Sequence, residues 1–311
     1  MTYASGGLIQ ATDYNGFVGT SPSSTANQLN TVWAVGNGNA GYGQSALPQV
    51  SAAGTVTATQ WASLINTLNS VYVHQTGSGT GLGAPTAGSL ISYMSVLSGD
   101  INTAYSNRLA AASNGSTTTG SVFSATTTAA AGVGSNINLV ERTVTFSSGD
   151  AARYFFNAGG YLNIVVTGCT NNDGTARSAD LCTLWATNVG GVSGFRSATN
   201  GGRTGTGGTV TNNNTGIGYY TNTTAGTAYW TVSSTTSPYT ADFAYIYCYT
   251  GTPNVSGNAD NGNVIKFGWG YNSAAHSAFN GTLNVTLNHR IDIVYPESTN
   301  LSPSWGTVTI S

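Results

Sequence analysis

Asp242-Phe243-Ala244-Tyr245-Ile246-Tyr247-Cys248-Tyr249 and Val264-Ile265-Lys266-Phe267-Gly268-Trp269-Gly270-Tyr271 decide the fold of the second half of this chain. In the first run Phe243, Tyr245, Tyr247 and Tyr249 fall on one side, and Ala244, Ile246 and Cys248 on the other. In the second, Ile265, Phe267, Trp269 and Tyr271 share a side. A period of two is that of an extended strand. The pattern recurs outward from these runs: Val144 and Phe146; Tyr161 to Val166; Thr227 to Val232; Leu283, Val285 and Leu287; Ile291, Ile293 and Tyr295; Val308 and Ile310. Turns rich in Asn, Gly and Ser separate them. Eight or more strands without helical patterns from Asn136 onward predict an antiparallel β-sandwich of jelly-roll type. Within it, Gly159-Gly160 reads as a tight turn between a strand ending at Asn157 and one starting at Tyr161.

The first part of the chain has a different period. Thr57-Ala58-Thr59-Gln60 matches a capping box, and Trp61, Leu64, Ile65, Leu68, Val71 and Tyr72 behind it share one helical face. Thr25-Ala26-Asn27-Gln28 reads as a second box, ahead of Leu29, Val32 and Trp33. A third helix carries Leu90, Met94, Leu97, Ile101 and Tyr105, spaced like the seam of a short coiled coil. That seam packs within the chain or forms a trimer or partner interface. The stretch 113–135 is rich in Ala, Ser, Thr and Gly and reads as a linker. The fold class is therefore α+β, mainly β. A small helical domain, 1–112, precedes the linker and a sandwich domain, 136–311.

Composition limits the function. Only 6% of the 311 residues are charged, against about 25% in ordinary globular chains. Lys266 is the one lysine, and the formal net charge is −2. Nucleic-acid binders and polybasic membrane anchors need clustered Lys and Arg, so neither is expected. No run approaches the roughly 18 apolar residues of a spanning helix, so no membrane insertion is expected. MTYASGGLIQ has neither a basic nor an apolar region of a signal peptide. A surface of neutral hydroxyls and amides suits a subunit of a large assembly, where charges would have to be desolvated at each contact.

Motifs for chemistry are sparse. The acids are scattered, with Glu141 and Asp150 the nearest to a pair, whereas glycoside hydrolysis needs two carboxylates at a set separation. His74, His276 and His289 have no metal-ligand spacing, and no Gly-x-Ser-x-Gly elbow occurs. The Gly-rich segments 36–43 and 77–83 lack the Lys-Ser/Thr of a phosphate loop. Thr170-Asn171-Asn172-Asp173-Gly174 offers oxygens to calcium but is first a turn signal. No catalytic residue, metal or cofactor is expected. Cys169, Cys182 and Cys248 read as free buried thiols, the alternative being a Cys169–Cys182 bridge. The aromatic row Tyr245, Tyr247 and Tyr249 fills a core or interface, or else stacks on sugar rings.

Two blocks carry a resemblance. The first is Leu29-Asn30-x-Val32-Trp33, Gly38-x-x-Gly41-Tyr42-Gly43-Gln44, Trp61 and His74-Gln75; the second is Arg153-Tyr154-Phe155-Phe156-Asn157-Ala158-Gly159-Gly160. Together, over about residues 1–170, they resemble virion structural proteins of tailed bacteriophages, myovirus-like ones in particular. The resemblance implies a non-enzymatic particle component assembled in the host cytoplasm, in keeping with unpaired cysteines and no leader. The expected protein is tail-, neck/collar- or baseplate-associated, fibre-like and homo-oligomeric, with a trimer favoured. Its expected partners are other virion proteins and a host surface glycan. Capsid decoration and a carbohydrate-binding adhesin are the alternatives.

Overall fold

A computed structural model describes residues 10–23, 25–36, 40–89, 94–129, 135–185, 192–195, 209–212, 227–249, 263–273 and 282–311. The helical part holds α1 (Ala11–Val18), α2 (Asn30–Trp33), α3 (Ala58–Thr76) and α4 (Met94–Ser106). The capping box of α3 forms as read: the Thr57 side chain accepts from the Gln60 amide and Gln60 Oε1 from the Thr57 amide. Trp61, Leu64, Ile65, Leu68 and Val71 are buried, and Gly77 ends the helix in the left-handed region at φ +82°. The second box does not form. α2 is a single turn whose first residues carry no side-chain cap, and Gln28 Oε1 instead accepts from Ser23 Oγ.

The remainder is a two-sheet sandwich. In chain order it holds β1 (Asn114–Thr118), β2 (Phe123–Ala129), β3 (Ser135–Phe146), α5 (Gly149–Asn157), β4 (Tyr161–Asn171), α6 (Ala176–Thr183), β5 (Val192–Phe195), β6 (Thr209–Asn212), β7 (Thr227–Ser233), β8 (Phe243–Tyr249), β9 (Val264–Ser273), β10 (Leu283–Pro296) and β11 (Val308–Ile310). One sheet runs β1-β10-β4-β5, with β2 also on β10; the other runs β11-β3-β9-β8-β7-β6. All these pairings are antiparallel. The chain crosses repeatedly between the sheets, while β6 to β9 form a meander. The α+β class holds, with the sandwich as its larger part.

The alternating residues set the core. Val144, Phe146, Ile246, Ile265, Phe267 and Trp269 of one sheet are buried against Ile164, Leu283, Val285, Leu287 and Ile291 of the other. Trp269 and His289 touch across the gap, ring centroids 4.7 Å apart. The same core continues without a break into Trp61, Leu64 and Leu68 of α3.

Three expectations are corrected. The segment 113–135 is not a plain linker: it supplies β1 and β2, and β2 pairs along β10 from Leu283↔Ala129 to His289↔Phe123. Its more covered positions include Ala125, Thr127 and Ala129, small residues that hide a strand from a reading based on bulky side chains. The segment before Gly159 is a helix, α5, not a strand. Ser148 caps it by accepting from the Ala151 amide at 3.0 Å, and its sequence keeps a helical period, with Asp150, Arg153 and Asn157 on one side and Ala151, Ala152, Phe155 and Phe156 on the other. Gly159, at φ +86°, follows that helix rather than joining two strands. A second helix, α6, is capped by Thr175, which accepts from the Ser178 amide.

The cysteines are corrected too. Cys169 of β4 and Cys182 of α6 form a disulfide with Cα atoms 4.9 Å apart, and the buried Cys248 is not disulfide-bonded. The turn between them brings α6 back onto β4. Asn171 Oδ1 accepts from the Asp173 and Gly174 amides, so the proposed calcium oxygens serve the turn itself. Among the described residues, no group of three or more His, Cys, Asp or Glu is placed to hold a metal. Thiol titration of the unfolded, unreduced chain should find Cys248 alone. Cys182→Ala should lower stability by about 2–3 kcal/mol, read from the urea midpoint, because the bridge closes a short loop.

Candidate functional site

The α4 seam serves the interior of the chain. Met94 is 5% exposed, and Leu97 and Ile101 are fully buried against the same core as α3; Tyr105 packs on it partly buried, with Arg108 over its ring. Leu90 lies outside the described residues. These side chains already fill a core, so the oligomer-interface reading of the seam is corrected.

The tyrosine row is also inside. Tyr245 and Tyr247 lie on the sheet face opposite Ala244, Ile246 and Cys248, yet are only 7% and 9% exposed. Each ring covers a glycine of β9: Tyr247 lies over Gly268 and Tyr245 over Gly270, where an added Cβ would fall inside the ring. Tyr245 donates to Asn138 Oδ1 at 3.2 Å and Tyr247 to Glu141 Oε2 at 3.5 Å. Lys266 pairs with Glu141 at 3.5 Å. These rings complete the sheet by filling the space above glycines, and their faces are not open to a sugar. Tyr249 continues the strand opposite Lys266, and its side chain lies outside the described residues. Gly268→Val should displace the Tyr247 ring and destabilise by about 2 kcal/mol, as overpacking does. A thermal-melt series with Gly268→Val and Gly268→Val/Tyr247→Ala checks this, the second change recovering part of the loss.

The two blocks that carry the resemblance meet in space. Tyr42 donates to the Arg108 carbonyl at 2.8 Å and accepts from Gln75 Nε2 at 2.9 Å. Gln44 Nε2 donates to the Ser302 carbonyl, and its Oε1 accepts from the Ser302 amide, both at 2.8 Å. His74 Nδ1 donates to Glu297 Oε1 at 2.9 Å, both side chains buried. Arg153, fully buried in α5, donates to the Gly36 carbonyl and to Asp150, and Asn157 donates to the Gly41 carbonyl. Gly43, at φ +69°, leaves room for the Tyr154 ring. Burial works to raise the Glu297 pKa. Hydrogen bonds from the Asn300 and Thr299 amides and from His74 outweigh it and hold the carboxylate below its usual range. Burial lowers the His74 pKa, against the pull of Glu297. This network fastens the helical layer to α5 and to the segment after β10.

A cavity of about 320 Å³ lies between α6 and the turn before β8. Ala176, Ala179, Pro238 and Tyr239 form much of its wall, together with Asp180. Asp180 is 5% exposed. Its Oδ1 accepts from Ser234 Oγ at 2.8 Å, while its buried Oδ2 has no hydrogen-bond partner. Burial pushes its pKa up, the nearby Asp242 charge adds to this, and hydrogen bonds from Ser234 and Thr236 oppose it. Asp242 is itself fully buried and accepts from the Tyr271 hydroxyl. Sequence reasoning missed this place, because Asp180 and residues 236–239 come from separate segments that only the fold joins. The nearest signal was an acid within an otherwise neutral stretch, Ser178-Ala179-Asp180-Leu181.

Comparison of the chain with protein-family models, curated protein sequences and solved structures finds no match in any of the three. Among the described residues, no helix is long and apolar enough to cross a membrane.

Proposed function

We propose that this chain is a non-enzymatic structural component of a tailed-phage particle, associated with its tail, neck/collar or baseplate. The observation that carries the reading is the convergence of the two resembling blocks on one buried junction. Gln44 and His74 of the first, and Arg153, Tyr154 and Asn157 of the second, join the helical layer to the rest of the chain, while Tyr42 and Gln75 of the first brace that layer from within. What the blocks share with particle proteins is thus architecture rather than reacting groups. The 6% charge content supports the same reading, because neutral contacts between subunits carry little desolvation cost.

The trimer reading loses the α4 seam as its interface, and the proposal is a repeated subunit whose contacts lie elsewhere. The disulfide changes the account of assembly: the chain is made in the reducing host cytoplasm, and the Cys169–Cys182 bridge closes once the particle meets oxidising surroundings. Quantitative mass spectrometry of purified particles, with electron microscopy of particles labelled at Ser311, tests the proposal. Integral copies per particle and label on the tail, neck or baseplate are expected. Label on the head surface would move the protein to capsid decoration, and absence from particles would overturn the reading.

A further inference from the structure

We propose that the open sheet edge from Asn114 to Val122 pairs antiparallel with the same edge of a second copy of this chain. β1 and β2 follow one another along one side of β10, so residues 114–129 form a long edge. Among the described residues the other edges are short: β5 and β6 have four residues each and β11 three. Past Phe123 the edge is taken up by the second sheet, where Thr127 donates to the Leu139 carbonyl of β3 at 2.7 Å. From Asn114 to Val122 it is open. Every residue there except Gly120 is exposed, and Val122 shows 56% of its surface. An edge strand turns every second N–H and C=O away from its own sheet, and these groups form a template for another strand.

The chemistry of the edge selects a copy of itself. Natural edges are guarded by Lys, Pro or inward-facing charge, and no charged residue or Pro lies between Arg108 and Glu141. The register shift between Asn114 and Thr117 is the guard that β1 carries. Asp292, beside the edge on β10, is already engaged, accepting from the Gly120 amide and from Arg290. An acidic or basic partner finds no free counter-charge on this strand, whereas an identical strand brings no charge to repel or desolvate. Laid antiparallel about a two-fold axis, each copy offers donors where the other offers acceptors, and the contact closes at two. Thr117, Thr118 and Thr119 suit it, since a hydroxyl both donates and accepts across the pair. So short a pairing buries little area and is weak alone, and a particle that holds subunits side by side strengthens it. The contact gives the repeated subunit proposed above its neighbour; its place in a particle rests on that reading.

Sedimentation equilibrium and hydrogen exchange on the full-length protein, at about 3 µM and about 300 µM, test the contact. A dimer with a Kd of about 10–100 µM is expected, with amide protection gained at the higher concentration over residues 114–122. Thr118→Lys/Val122→Lys sets like charges against one another across the pair and should raise the Kd about tenfold or more. Both positions are exposed, so its melting temperature should stay near the parent value. Ser95→Lys/Asn102→Lys, at exposed positions of α4, adds the same charge away from the edge and should leave the dimer intact. Three outcomes overturn the proposal: a chain that stays monomeric at about 300 µM; a dimer whose protection falls on another surface; or an unchanged Kd in the folded Thr118→Lys/Val122→Lys variant. If that variant does not fold, exchange in the parent decides. Absence of the chain from purified phage particles overturns the proposed function and leaves a solution dimer through this edge standing, so the two fail separately.

Discussion

Arg153→Ala should lower the stability of the chain by about 4 kcal/mol, among the larger losses a single change can cause. Arg153 is fully buried in α5. Its Nη1 donates to the Gly36 carbonyl at 3.2 Å, and its Nη2 donates to Asp150 at 2.8 Å and to the Tyr154 hydroxyl at 3.0 Å. Truncation removes these bonds together and leaves a hole beneath the Gly36 carbonyl. Asp150 recovers part of its hydration, being about one-third exposed. The Gly36 carbonyl loses a partner it cannot easily replace. Lysine should not rescue, since one ammonium cannot reproduce the guanidinium fork. Urea unfolding followed by tryptophan fluorescence reads the effect. Arg153 sits where the layers join, so the variant should also unfold in two steps, the helical layer first. A loss under about 1 kcal/mol in a single sharp transition would show that the junction is not held this way.

Acid should weaken the sandwich well before its carboxylates titrate. His289 is fully buried between Trp269 and Phe123, with Nδ1 3.3 Å from the Leu287 carbonyl and Nε2 without a hydrogen-bond partner. Burial, helped by the Arg142 charge and opposed by the Leu287 hydrogen bond, lowers its pKa to about 4. The unfolded chain takes up this proton near pH 6.5, the folded chain only near 4. Stability is therefore full above pH 6.5 and is lost as pH falls toward 4, by about 3 kcal/mol at the lower end. His74, also lowered, acts in the same direction, and Glu297 adds a further loss below its ordinary pKa of 4.5. Asp180 and Asp100, both raised, act the opposite way. The His289 share is isolated by comparing the parent with His289→Phe at pH 7 and pH 4.5. The variant should lose markedly less stability between the two. Equal losses would mean that His289 does not stay neutral in the folded chain.

The sequence declared some of this fold and concealed the rest, for physical reasons. β10 was readable because buried and half-buried positions alternate from Leu283 to Arg290. β8 and β9 were readable because residues of one kind alternate with another, aromatic with small aliphatic in β8 and bulky apolar with glycine in β9, although both faces of β8 are covered. α3 was readable for the matching reason, with a cap that satisfies its own amides. α5 was missed although Asp150, Arg153 and Asn157 are spaced as on one helical face, because it is short, lies between strands and carries the Tyr154-Phe155-Phe156 run that suits a strand equally well. β1 and β2 were hidden by small residues that need little space. The α4 stripe announced that it was buried but not by what, since a stripe facing its own core and one facing a second copy look alike. The disulfide and the Asp180 cavity depend on α6 folding back onto β4, a tertiary event to which no local spacing points.

Strand β10 determines when the molecule can exist at all. It lies between β1 and β2 on one side and β4 on the other, so the edges of residues 114–129 and 161–171 wait for Leu283–Pro296. β3 likewise waits for β9. On the ribosome, most of the chain emerges before either sheet has its central partner. The strands that wait carry few charges of the kind that keep naked edges from joining one another. Synthesis is thus the exposed interval in the life of this protein. A chaperone, or very rapid closure once Leu283–Pro296 emerges, has to guard it until β10 arrives.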